Sequence, residues 1–385
     1  MAASVYSEEF SEQLRRFGGT FFPEPPAPEN IILFNARLRE QAQHNIRVAQ
    51  DHLYLKPRRI DFAFLGMGDL NGVAFASPAS DASQFDFIGI TAGTPMTLLN
   101  VFFNMLARPD IFPDVGDVSL ENKNLPPIDC LTTDVMAANT SFAEPQCAVR
   151  RVFARQMIDI AFDFIFFHEL GHLKNGHIEL LRELTQNTAL VELDGTKAGN
   201  EQVRRALETH ADFGGIEGAL NVAHGKFDRL AEYKDQVPDE YYRGRVALLG
   251  SPLRATLHTV FAAYVVFRLF HENFIARGGT HAEPYPPPAT RFCSVMKAAM
   301  KHHEWLGRNE TYPPGQFEYY LFRTAINAEI ACSEIWGGNV DAAILMGAAK
   351  EALPAFEIEY SQTWAEIEPI LNKFKRGATL NEFRL

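Results

Sequence analysis

Ala148–Lys174 reads AVRRVFARQMIDIAFDFIFFHELGHLK, a strongly apolar helical pattern that carries His168, Glu169 and His172 near its end. A helix this apolar is stable only when buried, so the chain has to fold around it. Phe162, Ile165 and Phe166 are the side chains available to bury it, and Gly171 leaves room beside the histidines.

The three polar residues form H-E-x-x-H. Helical positions four apart share one face, so two imidazoles can reach one metal ion. Glu169 follows the first histidine directly, which aims its carboxylate at a water on that metal. Zinc suits the set, because two histidines and one further protein ligand leave a fourth position for water. The ion lowers the pKa of that water to about 7, and Glu169 can take its proton during attack on a carbonyl. The third ligand has to come from elsewhere. In the metzincin pattern a Gly and a His follow, and here those places hold Asn175 and Ile178. His177 sits one residue early and is expected outside the ligand set or at the surface, with Gly176 ending the helix. A second segment, ALETHADFGG, offers Glu208 as ligand. Asp212, four residues later on the same face, can accept the free N–H of a ligand histidine and fix its tautomer. His210 competes as a donor but points about 160° round the helix from Asp212.

Composition narrows the class. Apolar residues make up 46% and charged residues 22% of 385, which excludes disordered, collagen-like and coiled-coil chains. With 36 Lys+Arg against 48 Asp+Glu the net charge is −12, so no nucleic-acid partner is expected. The basic run Lys56–Arg59 reads as solvated surface. The N-terminal MAASVYSEEFSEQLRR has no apolar h-region, and the apolar run Thr259–Phe267 is shorter than the ~20 residues a membrane span needs. Cys130, Cys147, Cys293 and Cys332 are far apart without a Cys-x-x-Cys pair and read as reduced thiols. The expected location is therefore cytoplasmic, without a membrane span.

Along the chain, Glu29 to Leu53 reads as a helix with Ile32, Leu33, Leu38 and Ile46 on its apolar side. Three strands follow at Ile60–Leu65, Gly72–Ala76 and Phe85–Ala92, then a helix over Pro95–Ala107. From Arg108 to Gln146 the chain reads as an extended connection, and Leu181–Asn200 and Gly278–Pro288 as irregular segments. Beyond Ala148–Lys174, helices are expected over Glu201–Ala223, Arg254–Ala276, Ala289–Leu306, Phe317–Trp336 and Val340–Ala352. A small sheet followed by many helices is an α+β, mostly helical fold.

HELGHLKNGH followed by E-x-x-A-D resembles the gluzincin metallopeptidases, in particular the CaaX prenyl-protease class and its soluble relatives. The resemblance implies a zincin-type active-site helix and zinc. His168, His172 and Glu208 would be its ligands, Glu169 the base, and Asp212 the support of a ligand histidine. YPPPATR resembles that class's H-P-P-T-x-x-R, with Tyr285 in place of His and Arg291 at the corresponding position. Tyr285 or His281 would then donate to the oxyanion, and Arg291 would anchor the segment or bind a substrate carbonyl or carboxylate. The layout without membrane spans, with FDFIGITAG upstream, is similar to the Lit-type phage-exclusion peptidases, cytosolic proteins that cleave a host translation factor.

On this reading residues 1–147 are an N-terminal helix and sheet region of the catalytic unit. Residues 148–292 are the metallopeptidase core, and residues 293–385 a C-terminal helical region. Phe85–Ala92 or Gly72–Ala76 would be the edge strand that pairs with an extended substrate. GMGDL at Gly66–Leu70 lacks the Glu of the aminopeptidase motif G-x-M-E-N, so an endopeptidase is expected. No G-x-S-x-G elbow and no Walker A loop occurs. The expected function is zinc-dependent cleavage of a specific intracellular protein or peptide, in a defence or toxin-like role. The alternative is a regulatory or peptide-binding protein whose zincin-like site is not used for catalysis. The sequence leaves the oligomeric state open.

Overall fold

The computed structural model describes residues 8–21, 29–55, 58–77, 85–128, 143–185, 189–191, 201–276, 288–306, 312–313, 315–337 and 353–377. The N-terminal part contains helix α1 (Glu8–Arg16), strand β1 (Thr20–Phe21), α2 (Glu29–His52), β2 (Arg59–Leu65), β3 (Gly72–Ala76), β4 (Phe85–Thr91) and α3 (Gly93–Leu106). Then come α4 (Ala148–Lys174), α5 (His177–Thr185), β5 (Ala189–Val191), α6 (Glu201–Asp228), α7 (Asp239–Leu249) and α8 (Pro252–Ala276). The chain continues through α9 (Pro288–Trp305), α10 (Gln316–Trp336) and α11 (Leu353–Phe374). The fold is α+β and mostly helical.

The strands form one mixed sheet in the order β1-β2-β4-β3-β5, with β2 and β4 parallel and the other neighbours antiparallel. Alternation of side chains along each strand sorts residues to two faces. Phe62, Phe64, Ala74, Ala76, Ile88 and Ile90 join the helical core. Ala63, Leu65, Val73, Phe75, Phe85 and Phe87 form a second cluster on the other face, covered by Phe10 of α1. The Phe10 ring lies 4.6–5.0 Å from those of Phe75, Phe85 and Phe87. With both faces covered, every residue of β3 and β4 is buried, which is why both read as largely apolar; the exception within β4, Asp86, is paired with Arg58. The alternation also gives β3 a helical face of Gly72, Ala74 and Ala76, whose small side chains let α4 approach closely.

Helix α4 runs through the centre, buried on nearly all sides. One hydrophobic cluster extends from Leu38 of α2 to Leu371 of α11 and takes in α3, α4, α6, α8, α9 and α10. By length and composition Pro252–Asn273 of α8, with mean hydropathy 1.3, could cross a membrane; 72% of that window is buried inside the protein.

Several sequence expectations are corrected. Leu181–Asn200 is not one irregular loop: α5 continues to Thr185, and Ala189–Val191 adds a strand to β3. β4 lies between β2 and β3, so it is no edge strand, and the outer edge of β3 is taken by β5 along Val73–Phe75. The short β1 and β5, and the helices α1, α7 and α11, have no counterpart in the sequence reading. Leu33 is 61% exposed rather than on the buried side of α2. The expected helix Val340–Ala352 lies outside the described residues, except that α11 begins at Leu353.

The described part of the connection after α3 is not extended either; it wraps on the N-terminal end of α4 around Arg150. This fully buried guanidinium donates to the carbonyls of Leu106, Arg108, Ile111, Phe112 and Val115 over 2.7–2.9 Å. Phe112, whose φ of 52° is in the left-handed region, is held there by one of these bonds. The Glu121 carboxylate accepts from the N–H groups of Gln146 and Cys147, just ahead of the first turn of α4, where negative charge is favoured.

Two stability predictions follow from this packing. Arg150→Met removes the guanidinium donor from five carbonyls and the cation beside Glu121, and should cost about 3–5 kcal/mol in urea unfolding; a loss below about 1 kcal/mol would contradict the wrapped-loop account. The second concerns pH. Burial pushes His258 down to about 4, and burial with the neighbouring His303 does the same to His302. Both rings are neutral in the fold while the unfolded chain protonates below 6.5, so the unfolded state binds more protons and stability falls as pH drops from 6.5 towards 4. Urea titrations across this window should show a shallower slope in the His258→Phe/His302→Phe double variant.

Candidate metal centre

The site depends on how closely α4 and α6 approach. A Cβ built on Gly171 would stand 3.4 Å from the Cα of Ala211, and one on Gly214 would stand 3.5 Å from the Cα of Gly171. Small residues where the helices cross thus bring Glu208 and Asp212, one turn apart on α6, against His168 and His172 of α4. This is the pairing expected from HELGH and ETHAD.

His168, His172 and Glu208 form a buried group that could hold a metal ion. His168 Nε2 lies 3.1 Å from His172 Nε2 and 3.3 Å from Glu208 Oε2, and His172 Nε2 lies 3.6 Å from the same oxygen. The residues are 4%, 0% and 0% exposed. His168 Nδ1 is 3.0 Å from Asp212 Oδ1. A carboxylate can only accept, so His168 carries its proton on Nδ1 and presents a lone pair at Nε2. Neither Glu208 oxygen, although buried, has a hydrogen bond of good geometry. Lone pairs therefore face one another across the group, an arrangement that a cation satisfies and an apolar filling does not. Burial disfavours the charged form of Glu208, but His172 and His168 outweigh it and hold the carboxyl well below the usual range.

Glu169 is 1% exposed, and its carboxylate packs against the Cα of Gly72, where a side chain would collide with it. The turn ahead of Gly72 is fixed from three sides. Asn71 N–H donates to the hydroxyls of Thr91 and Thr94, and Asn273 Nδ2 donates to Leu70 O over 3.0 Å. The first residue of β3 thus forms one wall beside the carboxylate.

Arg291 has a partner that the sequence reading did not name. Its Nε donates to Asp212 Oδ2 at 2.8 Å and its Nη2 to Asp212 Oδ1 at 2.7 Å. The guanidinium also lies 4.5 Å from the Phe267 ring centroid. Arg291 therefore positions Asp212, and through it His168. Tyr285 and His281 lie outside the described residues. His177 is 0% exposed, which corrects its placement at the surface; it touches His172 and is no member of the metal group. Burial first, then the neighbouring imidazoles of His172 and His210, push its pKa well below the histidine range. His210 lies outside the metal group and beside His177. The sequence reading missed Gly72 and Asn175, the contact of His177 with His210, and Trp364 behind it. Only the H-x4-H spacing of His172 and His177 hinted at any of these.

Compared with known proteins, the chain matches no family model, no curated protein and no solved structure.

Asp212→Asn keeps the shape but removes the charge and one acceptor oxygen that hold His168 and Arg291. Chelator competition on the purified chain should show divalent-metal affinity lower by about 10–100-fold. Unchanged affinity would mean that Asp212 does not set the tautomer of His168.

Proposed function

We propose that this protein is a zinc-dependent endopeptidase of gluzincin type that hydrolyses peptide bonds in a specific protein or peptide substrate. The observation that carries the reading is the convergence of His168 Nε2, His172 Nε2 and Glu208 Oε2 in one buried group, with the buried Glu169 next to His168 in sequence on α4. Their separations of 3.1, 3.3 and 3.6 Å are close to the ~3.3 Å between neighbouring ligands of a tetrahedral zinc ion bound at about 2.0–2.1 Å. Two neutral imidazoles and one carboxylate are the donor set that suits zinc and leaves a position open; calcium and magnesium favour oxygen ligands throughout.

Zinc held by these three residues would acidify a water molecule and polarise a substrate carbonyl. The remaining work falls to the chain. Glu169 takes the proton of the attacking water at its carboxylate and passes it to the leaving amine nitrogen. Its enclosure against Gly72 keeps bulk water from competing for that proton. Asp212, clamped by Arg291, holds His168 with its Nε2 lone pair towards the metal position, and supports the growing positive character of the ring. Tyr285 and His281 are the candidate donors to the oxyanion, from their spacing to Arg291. Among the described residues Cys147, Cys293 and Cys332, three of the four cysteines, are buried and form no disulfide, which supports a reducing, cytoplasmic setting.

One observation favours a second reading, a regulatory or peptide-binding protein whose site is not used for catalysis: His168, Glu169, His172 and Glu208 are all at most 4% exposed. Glu169→Gln separates the two. Wild type incubated with a pool of proteome-derived peptides should generate new N-termini detectable by mass spectrometry. The variant should retain its zinc and lose cleavage by at least about 100-fold. Cleavage undiminished in Glu169→Gln would overturn the proposed mechanism, and a zinc-loaded wild type that cuts nothing in the pool would favour the second reading.

A further inference from the structure

Behind the metal group His172 is continued by two buried imidazoles, His177 and His210, that the proposed reaction does not use. His172 Nδ1 lies 2.9 Å from His177 Nδ1, and His177 Nε2 lies 3.0 Å from His210 Nδ1. Asn175 Nδ2 approaches the same His210 nitrogen at 3.4 Å. The three histidines are 0% exposed and Asn175 is 1% exposed. The row ends on Trp364 of α11, whose ring centroid is 4.4 Å from that of His210.

We infer that His177 is a positioning residue: it accepts the Nδ1 proton of His172 and so fixes the tautomer whose Nε2 lone pair is presented to the metal. This rests on the metal reading given above, and it goes beyond that reading by assigning work to residues outside the ligand set.

The direction of the row follows from donor and acceptor rules. A neutral imidazole has one N–H donor and one acceptor nitrogen. The amide nitrogen of Asn175 can only donate, so His210 Nδ1 is an acceptor. His177 Nε2, which shares that atom, must then donate to it. A neutral His177 with its proton on Nε2 leaves Nδ1 to accept, and the only proton available for the 2.9 Å contact is that on His172 Nδ1. His172 is thereby left with a bare Nε2 facing His168 Nε2 and Glu208 Oε2. Asp212 imposes the same tautomer on His168 from the opposite side. The two ligand histidines thus have different supports, one anionic and one neutral. A neutral acceptor holds the second ring without adding a further negative charge to a group that already contains Glu169, Glu208 and Asp212. The opposite polarity, with protons on His210 Nδ1 and His177 Nδ1, would place a proton on His172 Nε2 and exclude the metal.

Stereochemistry supplies a sharp test. The side-chain oxygen of Asn is two bonds beyond Cβ, as is the Nδ1 of His, so His177→Asn keeps an acceptor towards His172. The amide of Gln reaches the position of Nε2 instead, so His177→Gln keeps the contact with His210 and removes the one with His172. His177→Phe keeps the volume and neither nitrogen. Zinc stoichiometry and affinity would be measured on the full-length chain by competition with a chromophoric chelator. Long-range proton–nitrogen spectra of the zinc-loaded, 15N-histidine-labelled protein would read the tautomers.

Wild type should bind one zinc ion. His177→Asn should stay within about threefold of its affinity, while His177→Gln and His177→Phe weaken it by about 10–100-fold, the range for removing the partner of a ligand histidine. The spectra should show His172 protonated on Nδ1 and His177 on Nε2. The proposal is overturned if His177→Gln binds zinc as tightly as wild type, or if His177→Asn loses as much as His177→Gln, which would indicate packing alone. A proton on His177 Nδ1 in the loaded protein would also overturn it, as would a second zinc ion lost on substitution of His177. A wild type that binds neither zinc nor cobalt would sink the metal reading and this proposal together, whereas a zinc-binding wild type with indifferent variants sinks this proposal alone.

Discussion

Lone pairs buried within 3.6 Å of one another repel unless a positive charge stands among them, and much of the surrounding structure exists to hold three of them in that relation. His168 and Glu208 come from different helices, so the arrangement survives only if α4 and α6 cannot slide. Gly171, Ala211 and Gly214 let the two backbones approach until there is no slack between them. The rings cannot turn either, because each Nδ1 is engaged from behind, one by a carboxylate and one by an imidazole. In water each of these groups would be solvated separately and the cluster would fall apart. Buried, its members are cut off from bulk water, which gives the site both its rigidity and its dependence on a cation.

The frame around the two helices answers the same need. Arg150 gathers five carbonyls of the loop after α3 onto the start of α4 and pins the end of the helix farthest from the site. The sheet supplies the other wall. Because Gly72, Ala74 and Ala76 line its helical face, β3 comes near enough for Glu169 to rest on a bare Cα. The strand β5 then closes the outer edge of β3, so an extended peptide meets a sheet whose edge near the site is already paired. At the rear, Trp364 of α11, stacked on Tyr360, packs against the last histidine of the row, which ties the C-terminal helix to the region behind the metal group.

The legible parts of this protein were those written in local periodicity. His168 and His172 share a face because they are four apart, and Glu208 and Asp212 do so for the same reason. The C-terminal boundary of α4 was readable because the helical pattern stops just before Gly176, whose φ of 76° turns the chain after Lys174. Strands β2 and β4 announced themselves as apolar runs. Elements of two or three residues, such as β1 and β5, are too short to carry a period. The helix α7 has an apolar pattern too weak to separate from a loop. Arg291 shows a different limit: its spacing from Tyr285 suggested a role at the substrate, but its partner Asp212 lies 79 residues away, and nothing in its neighbourhood names that partner.

The sequence by itself determined which donors could share a helix face and which helices had to be buried, since both depend on residues within one or two turns of each other. Only the tertiary structure decided that Glu208 meets His168, that Arg291 clamps Asp212, and that His177 lies inside against His210. Those outcomes depend on which surfaces are small enough to touch and which buried groups remain without water. Such long-range competition is settled by packing and desolvation over the whole chain, and no short window of sequence contains it.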